Sequence, residues 1–337
     1  MTVTMSHPTT IRATLIYNPT AGQHGPAKGK TAGQHGPAEG KGEIDPRITA
    51  ALSQFRADGW QVGTEQTTGP GAATTLAREA VARGDDVLVV AGGDGTVNEA
   101  VQGLVGSATA LAVIPLGTVN LWAYELGLPS QAAAAARALI AGTRRAVDVG
   151  RAGDRYFLLM AGLGFDAAVT GAVDLTLKHS VGRLAYALAA ARLAPGYRGA
   201  AVTMRLDDET VRCRALMIVA GNTRHYAGDF QLTPHALVDD GLLDVVVFPG
   251  ERLWQQTPAA LAILRRQPLE RHGARSYRAR RLHITVDNPS PGKAPLPLQI
   301  DGDATGAGAP IEIAVVPSSL RVVVPRRIRT PLFSQPG

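Results

Sequence analysis

The sequence predicts an α/β fold: a doubly wound N-terminal domain built on a parallel sheet, followed by a second domain that is mainly antiparallel β. Three observations predict it. Over the first 130 residues, four apolar strand-like segments alternate with helical ones. After the alanine-rich segment Gln131 to Ala141, the texture changes to short strands separated by turns. Within the first of these regions, one buried strand runs into a glycine-rich turn that opens a helix, the place where open parallel sheets receive ligands.

Taken in order, ATLIYN from Ala13 reads as the first strand, and the PTAG after it as a turn. TAGQHGPAKGK, Thr20 to Lys30, then recurs as TAGQHGPAEGK, Thr31 to Lys41, with an 11-residue period. Two copies cannot form a solenoid, which needs about three stacked units, so 20–42 is read as a flexible Gly/Pro insertion. Gly29, Lys30 and Thr31 supply the end of a P-loop signature, but His24 stands where its first glycine is required. A helix is predicted from Ile44 to Ala57, a strand around Val62 and a helix from Ala72 to Arg83. Val87 to Val101, VLVVAGGDGTVNEAV, gives a strand, the glycine turn and a helix. ALAVIP, Ala110 to Pro115, is the fourth buried strand, and LGTVNLWAYELGLP turns from it into a further helix.

The second domain draws its strands from RAVDVGRA, RYFLLMAGLG, AVTMRL, TVRCRALMIVAGN, LLDVVVFPG, RLHITVDN, LPLQIDGDA and IEIAVVP. Helix-like interruptions fall at Val181 to Ala194 and Leu253 to Arg266. The domains are therefore expected at 11–146 and 147–316, divided near Val147, with a tail at 317–337 free to return to the first.

Composition bounds the function. At 337 residues and 45% hydrophobic content, two domains with ample cores are expected. The single Cys213, read as a buried strand residue, excludes a disulfide framework and a cysteine-rich metal site and points to a reducing cytosol. No stretch approaches the roughly 20 apolar residues of a membrane span, and the N-terminus lacks a signal-peptide core. A net charge of +6 calls for an anionic partner. Arg265, Arg266, Arg271, Arg275, Arg278, Arg280 and Arg281 fall within 17 residues, after the apolar run LWQQTPAALAIL. A helix with such flanks suits an anionic lipid interface, the alternative being a solvated arginine-rich face. Nucleic acid is disfavoured, because only 5% of residues are aromatic and no interleaved basic-aromatic platform appears.

The turn Gly92, Gly93, Asp94, Gly95, Thr96 has the make-up of a polyphosphate site. Glycines let an anion approach the backbone, and the following helix offers unpaired N–H groups and the positive end of its dipole. Thr96 and Glu99 read as a capping box, which puts the helix start at Thr96. Asp94 would repel phosphate unless a divalent cation lay between them, so it suggests a Mg²⁺-bound nucleotide. The dinucleotide fingerprint fails, since Asn98 occupies its third glycine position. The alternative is an ordinary capped turn.

Several motifs together resemble the diacylglycerol kinase-like lipid kinases: NPTAG at Asn18 to Gly22, GGDGTVNE at Gly92 to Glu99, LGTVN leading to LGLP, DDGLLDV at Asp239 to Val245 and QIDGD at Gln299 to Asp303. GGDGT is shared with NAD kinases and phosphofructokinases, whose N-terminal fold is then also expected here. The resemblance implies an ATP- and Mg²⁺-dependent kinase acting on a hydroxyl of a diacylglycerol-like or related lipid, cytoplasmic and peripheral to the inner face of the membrane. It implies that Asn18, Pro19, Thr20, Ala21, Gly22, Thr67, Gly92, Gly93, Asp94, Gly95, Thr96, Val97, Asn98, Glu99, Gly117, Thr118 and Asn120 hold ATP, with Asp94 toward its Mg²⁺. It implies a structural Mg²⁺ on the Asp240 carboxylate and the backbone carbonyls of Leu237 and Leu242; read from the residues alone, DDG is a turn.

The same resemblance makes Asp303 the general base, with Asp301 beside it in the catalytic segment, although the family usually carries Glu at the position of Asp303. Asp is one methylene shorter, and a displacement of about 1 Å can cost roughly 10²-fold. Read alone, Asp301 to Asp303 form a turn. Leu121 is a second departure, where many relatives carry Asp. Two other functions fit these residues: a soluble-metabolite kinase of NAD kinase type, and a non-catalytic nucleotide or lipid sensor. Nothing in the sequence sets the oligomeric state, and a homodimer is compatible with it.

Overall fold

Apolar runs buried on both faces set the parallel sheet. A computed structural model describes residues 10–19, 44–173, 183–226, 228, 230–287, 296–328 and 331–335. The duplicated insertion at 20–42, with Thr20, Ala21 and Gly22, lies outside the described residues. β1 (Arg12–Tyr17), β3 (Val87–Gly92) and β4 (Ala110–Pro115) are buried almost throughout, whereas β2 (Gln61–Gln66) is a more exposed edge strand. They pair in parallel in the order β2-β1-β3-β4.

Helices cover both faces. α1 (Pro46–Ala57) starts where the Asp45 carboxylate accepts from the Arg47 amide at 2.8 Å and Pro46 supplies a helical φ. Its buried Ile48, Ala51, Leu52 and Phe55 follow the helical period and pack, with α5 (Ala132–Ile140), on Leu15, Val87, Val89 and Ala112. α2 (Ala72–Ala82) and α3 (Asp94–Leu104) pack on the opposite side chains Ile16, Leu88, Val90 and Val113. The short α4 (Leu121–Glu125) adds Trp122 and Ala123 to that second layer.

β5 (Thr143–Ala152) carries the chain into the second lobe, followed by β6 (Arg155–Phe157), β7 (Met160–Gly164) and α6 (Phe165–Ala172). α7 (Arg183–Leu193) leads to β8 (Ala200–Leu206), β9 (Glu209–Gly221) and β10 (Leu243–Pro249). After α8 (Thr257–Leu264) come β11 (Arg275–Ala279), β12 (Arg281–Val286), β13 (Pro297–Ile300), β14 (Asp303–Gly308) and β15 (Ile311–Val324). Except where β15 meets β4, the pairs in this lobe are antiparallel. One set of alternate residues, including Leu163, Ile218, Val245 and Ile284, forms its main core; Met160, Val219, Val246 and Phe248 face the other way, under Ala259 and Ala262 of α8.

β15 joins the lobes. Its first half pairs with β12, its register against β5 shifts between Val316 and Leu320, and Val322 then lies parallel to Leu111 of β4. Leu320, Val322 and Val324 thus belong to the N-terminal core, as do Leu332 and Phe333 beyond them.

Three local expectations need correction. Cys213 on β9 is half-buried rather than buried, because its strand faces alternate at the rim of the core; burial raises its thiol pKa, with Arg275 opposing. The arginine-rich stretch is not only the flank of a helix: Arg275–Ala279 is the strand β11, paired with β10 at the sheet margin, where charged side chains discourage further pairing. The apolar run before it is split between a 3-10 turn, Leu253–Gln256, and α8. Among the described residues no helix is long and apolar enough to cross a membrane.

Close packing gives one direct test. Gly150 on β5 pairs with Phe157 on β6, and the Phe157 ring fills the space a β-carbon at 150 would need. Phe157 is fully buried and has no room to retreat. Gly150→Ala is expected to cost about 1–3 kcal/mol, read as a lower denaturant midpoint at unchanged slope.

Candidate active site

The C-terminal ends of the parallel strands converge on one crevice. Asn18, just past β1, donates its amide to the Ala91 carbonyl of β3 at 3.3 Å. Thr67, just past β2, is buried and bonds the Tyr17 carbonyl through its amide at 2.9 Å. Pro19 follows Asn18 in the turn. The β3–α3 and β4–α4 turns touch: a β-carbon on Gly117 would stand 2.7 Å from the Gly93 Cα, so glycine is required where the two backbones meet. The Asn120 side chain closes the second turn, donating to the Gly117 carbonyl at 2.6 Å and accepting from its amide at 3.1 Å. Asn120 itself sits at φ 53°, and Thr118 is exposed at the tip.

α3 begins at Asp94, not at Thr96. Extended Gly93 is its N-cap and supplies no side-chain bond, so the Thr96–Glu99 capping box does not form. The Thr96 side chain packs under Gly92, where an added β-carbon would meet it at 3.0 Å. Glu99 serves another helix: its carboxylate accepts from Ala73 at the start of α2 at 3.2 Å, and its carbonyl accepts from the Thr74 hydroxyl at 2.8 Å. Val97 is core. The first turn of α3 therefore presents its amides without a capping side chain.

Asp94 bridges the two turns. Burial raises its pKa; the amides of Leu121, Trp122 and Asn120 at the head of α4 pull it down, and the nearby Asp303 carboxylate pushes it up. The departure at Leu121 is accounted for here, because that position contributes a backbone N–H to Asp94 while its side chain packs on the core.

Asp303 arrives from the other lobe on a two-residue hairpin turn. Asp301 at φ 49° and Gly302 at φ 88° join β13 to β14, the backbone an Asp-Gly type I′ turn requires. An added β-carbon on Gly95 would lie 3.5 Å from Asp303 Oδ2, so this carboxylate stands over the first turn of α3. Asp301 points inward. Its Oδ1 accepts from the Leu159 and Met160 amides at 3.0 and 2.9 Å, and its Oδ2 from the Leu158 amide and Asn98 Nδ2 at 2.9 and 2.8 Å. Burial pushes its pKa up to about 6 against these donors. With both oxygens committed, Asp301 fixes the turn, and buried Asn98 of α3 ties it to the N-terminal lobe.

A second anchor was not legible in the sequence. Gly302 donates its amide to Gln299 Oε1 at 2.7 Å, Gln299 Nε2 donates to Asp166 Oδ2 at 2.8 Å, and the Tyr226 hydroxyl donates to Asp166 Oδ1. The only local hint was an acid at the start of the helix after AGLG. Beside this chain lies a cavity of about 310 Å³, walled by Thr170 of α6, Val173 just past it, Tyr186 of α7, Gly302 and Asp303.

Burial pushes the Asp166 pKa up to about 6 from 3.8, against the Gln299 donor. Between about pH 4 and 6 the folded state then binds a proton that the unfolded state releases, so this group lowers stability above pH 6 and the penalty is withdrawn as pH falls toward 4. The swing is up to about 3 kcal/mol. Melting curves from pH 7 to 4.5 should show the wild type gaining stability as pH falls, and Asp166→Asn should gain about half as much, because Asp301 keeps an equal contribution.

The third predicted group lies apart from the hairpin. Asp240 Oδ1 accepts from the Leu242 amide at 3.1 Å, and its Oδ2 pairs with Arg278. Leu237 and Leu242 are half-buried around it. Asp148 and Asp244 are both pushed up, first by burial and then by the Asp240 charge, with Arg278 opposing at Asp244. Among the described residues no group of three or more His, Cys, Asp or Glu side chains could hold a metal ion. Any cation here or at Asp94 would therefore need carbonyl, phosphate or water oxygens as well.

Comparison with known proteins matches residues 35–152 to the diacylglycerol kinase catalytic domain and residues 160–324 to the YegS C-terminal NAD kinase beta sandwich-like domain. A diacylglycerol kinase of Bacillus subtilis is 29% identical over 94% of this chain and 97% of its own length. A probable lipid kinase YegS-like protein of Pseudomonas putida is 32% identical over 88% of this chain and 96% of its own. A crystal structure of a diacylglycerol kinase from Bacillus anthracis superposes with a TM-score of 0.69 at 20% identity, covering 94% of this chain and 98% of that one. The crystal structure and the two family matches agree on the fold.

Proposed function

Since this chain belongs to the family of diacylglycerol kinase-like lipid kinases, we propose that it transfers the γ-phosphoryl group of Mg²⁺-bound ATP to a hydroxyl of a diacylglycerol-like lipid at the crevice between its lobes. One observation carries the reading. The Asp303 carboxylate stands over the uncapped first turn of α3 on one side and walls a cavity of about 310 Å³ on the other.

The roles follow from that geometry. The free amides of α3, with Gly92, Gly93 and Gly95, receive the phosphates. Asn18, Pro19, Thr67, Gly117, Thr118 and Asn120 border the same crevice and hold the nucleotide. The acceptor hydroxyl enters from the cavity, and Asp303 takes its proton as the oxygen attacks the phosphorus. Asp301 and Asn98 act by positioning, because their polar atoms are committed to the turn. Phosphoryl transfer asks for little beyond placement and charge stabilisation, which these parts supply.

Asp94 fits a cation: it is an acid held by three amides beside a second carboxylate, a surplus of negative charge that Mg²⁺ bound there would neutralise along with the phosphates. Asp240, with the carbonyls of Leu237 and Leu242, would offer oxygen ligands to a structural Mg²⁺, which would compete with Arg278 for its carboxylate and relieve the charge that burdens Asp148 and Asp244. Mg²⁺ without nucleotide is then expected to raise the melting temperature, and Asp240→Asn to remove most of that rise; an unchanged rise would assign the effect elsewhere.

Lipid hydroxyls lie at headgroup level, so the protein works peripherally, on the cytoplasmic face of the membrane. Purified protein given ATP, Mg²⁺ and diacylglycerol, other glycerolipids or sphingoid bases in mixed micelles should release ADP with at least one acceptor. ADP release with a soluble metabolite alone, or with no acceptor, would reject the reading.

A further inference from the structure

We propose that the surface formed by the 3-10 turn Leu253–Gln256, α8 and the arginines that follow is a docking surface for an anionic lipid bilayer; this names the membrane contact that the lipid-kinase reading requires and rests on it. The first observation is inverted packing in α8. Its small residues Ala259 and Ala262 are buried against the sheet, while Leu261 and Leu264 face outward with 43% and 64% exposure. Trp254, in the preceding turn, is 70% exposed. A water-facing helix places its large apolar residues inward, so this arrangement leaves them for a second apolar phase.

The second observation is charge. Residues 251–281 hold eight arginines and two glutamates, a surplus of +6 along the sequence, from which Arg278 is drawn off by Asp240 and Asp244 and Arg281 by Glu312. Arg252, Arg265, Arg271 and Arg275 are all exposed, and Arg265 lines one cleft with Leu261. The two glutamates offset little, since Glu251 lies near Arg198 and Glu270 accepts from Ser276. Exposed apolar side chains in one segment with exposed arginines match the layering of an anionic bilayer, whose phosphates lie above its acyl chains. A purely electrostatic partner would leave Trp254, Leu261 and Leu264 unused.

Third, a cleft of about 260 Å³ opens on the same surface, with Pro258 and Leu261 as apolar wall and Arg265 and His272 at its side. It offers an apolar wall and a cation within one headgroup's reach. The placement also suits catalysis. α8 covers the Met160 side of β7, and two residues along the strand Gly162 faces Asp166 and Gln299, the anchor of the Asp303 turn. Docking surface and acceptor cavity therefore open from one layer of helices.

The test needs neither ATP nor acceptor lipid. Full-length protein is mixed with vesicles of phosphatidylcholine alone or with phosphatidylglycerol, and binding is read by co-sedimentation and by tryptophan emission. Trp60 and Trp122 are 7% and 1% exposed, so a blue shift reports Trp254. Binding should require phosphatidylglycerol, weaken with salt and shift the emission. Arg265→Gln with Arg271→Gln should weaken it about 30-fold, at about fivefold for each positive charge removed. Leu261→Ser with Leu264→Ser should abolish the shift at unchanged melting temperature.

Equal binding to neutral vesicles, unaltered binding by both double variants, or a shift absent from the bound wild type would overturn the proposal. So would tight retention of an oligonucleotide with no vesicle binding. A protein that binds vesicles but phosphorylates no lipid would overturn the kinase reading alone.

Discussion

Asp303→Asn is expected to lower phosphoryl transfer by about 10²–10⁴-fold, the usual contribution of a positioned general base. Asn keeps the size and loses the proton-accepting charge, while the turn that carries it, held through Asp301 and Gln299, is untouched. Nucleotide binding depends on the α3 amides and the glycine turns, so the dissociation constant for ATP should stay within about twofold. Steady-state kinetics with a micellar acceptor and equilibrium ATP binding measure the two quantities. Loss of both together would mean that Asp303 supports the nucleotide site; loss of neither would remove it from the mechanism. Asp303→Glu is informative in the other direction, because it restores the longer carboxylate usual in this family. If the hairpin places Asp303 closer to the crevice to compensate for the missing methylene, Glu will overreach and be slower.

Asp301→Ala is expected to cost about 3–5 kcal/mol of stability. The substitution leaves the amides of Leu158, Leu159 and Met160 and the side chain of Asn98 without their acceptor, at a site where Asp301 is only 9% exposed. Stranded buried donors cost about 1–3 kcal/mol each, and water entering the gap recovers part of the sum. In a chain of 337 residues that unfolds as one unit the melting temperature should drop by roughly 4–7 °C. Activity measured well below that temperature should also fall, through kcat rather than the KM for ATP, because the turn bearing Asp303 loses its main anchor. A variant as stable as the wild type would show that the four donors find other partners. Asn98→Ala removes one donor and the lobe-to-lobe tie together, and should weaken stability less while still lowering kcat.

These two neighbouring acids illustrate what a motif conveys. As a string of letters, Asp301, Gly302 and Asp303 offered two carboxylates one residue apart, and both were expected in the catalytic segment. A type I′ turn sends its first central residue and the strand residue after it to different surroundings, so one carboxylate is consumed by backbone amides and the other overlooks α3. The Thr96–Glu99 pair is similar. Its spacing suits a capping box, yet Gly93 already supplies an extended cap and α2 offers Glu99 an amide of its own. Local spacing lists the bonds a segment is able to make; competition with neighbours selects among them.

By itself the sequence determined the alternation of strands and helices, the parallel core, the glycine turns at strand ends and the apolar, arginine-rich segment after Leu253. Those features are local: they follow from residue period, from glycine's freedom and from charge, all of which act over a few positions. Only the tertiary structure decided that residues 320–324 return to the first lobe, that Asp166, Gln299 and Tyr226 brace the Asp303 turn, and that α8 turns its leucines outward. Each depends on contacts between segments far apart in the chain: Asn98 and Asp301 are separated by 203 positions. No periodicity spans that distance, and burial together with the need to satisfy every buried polar group settles which distant partners meet.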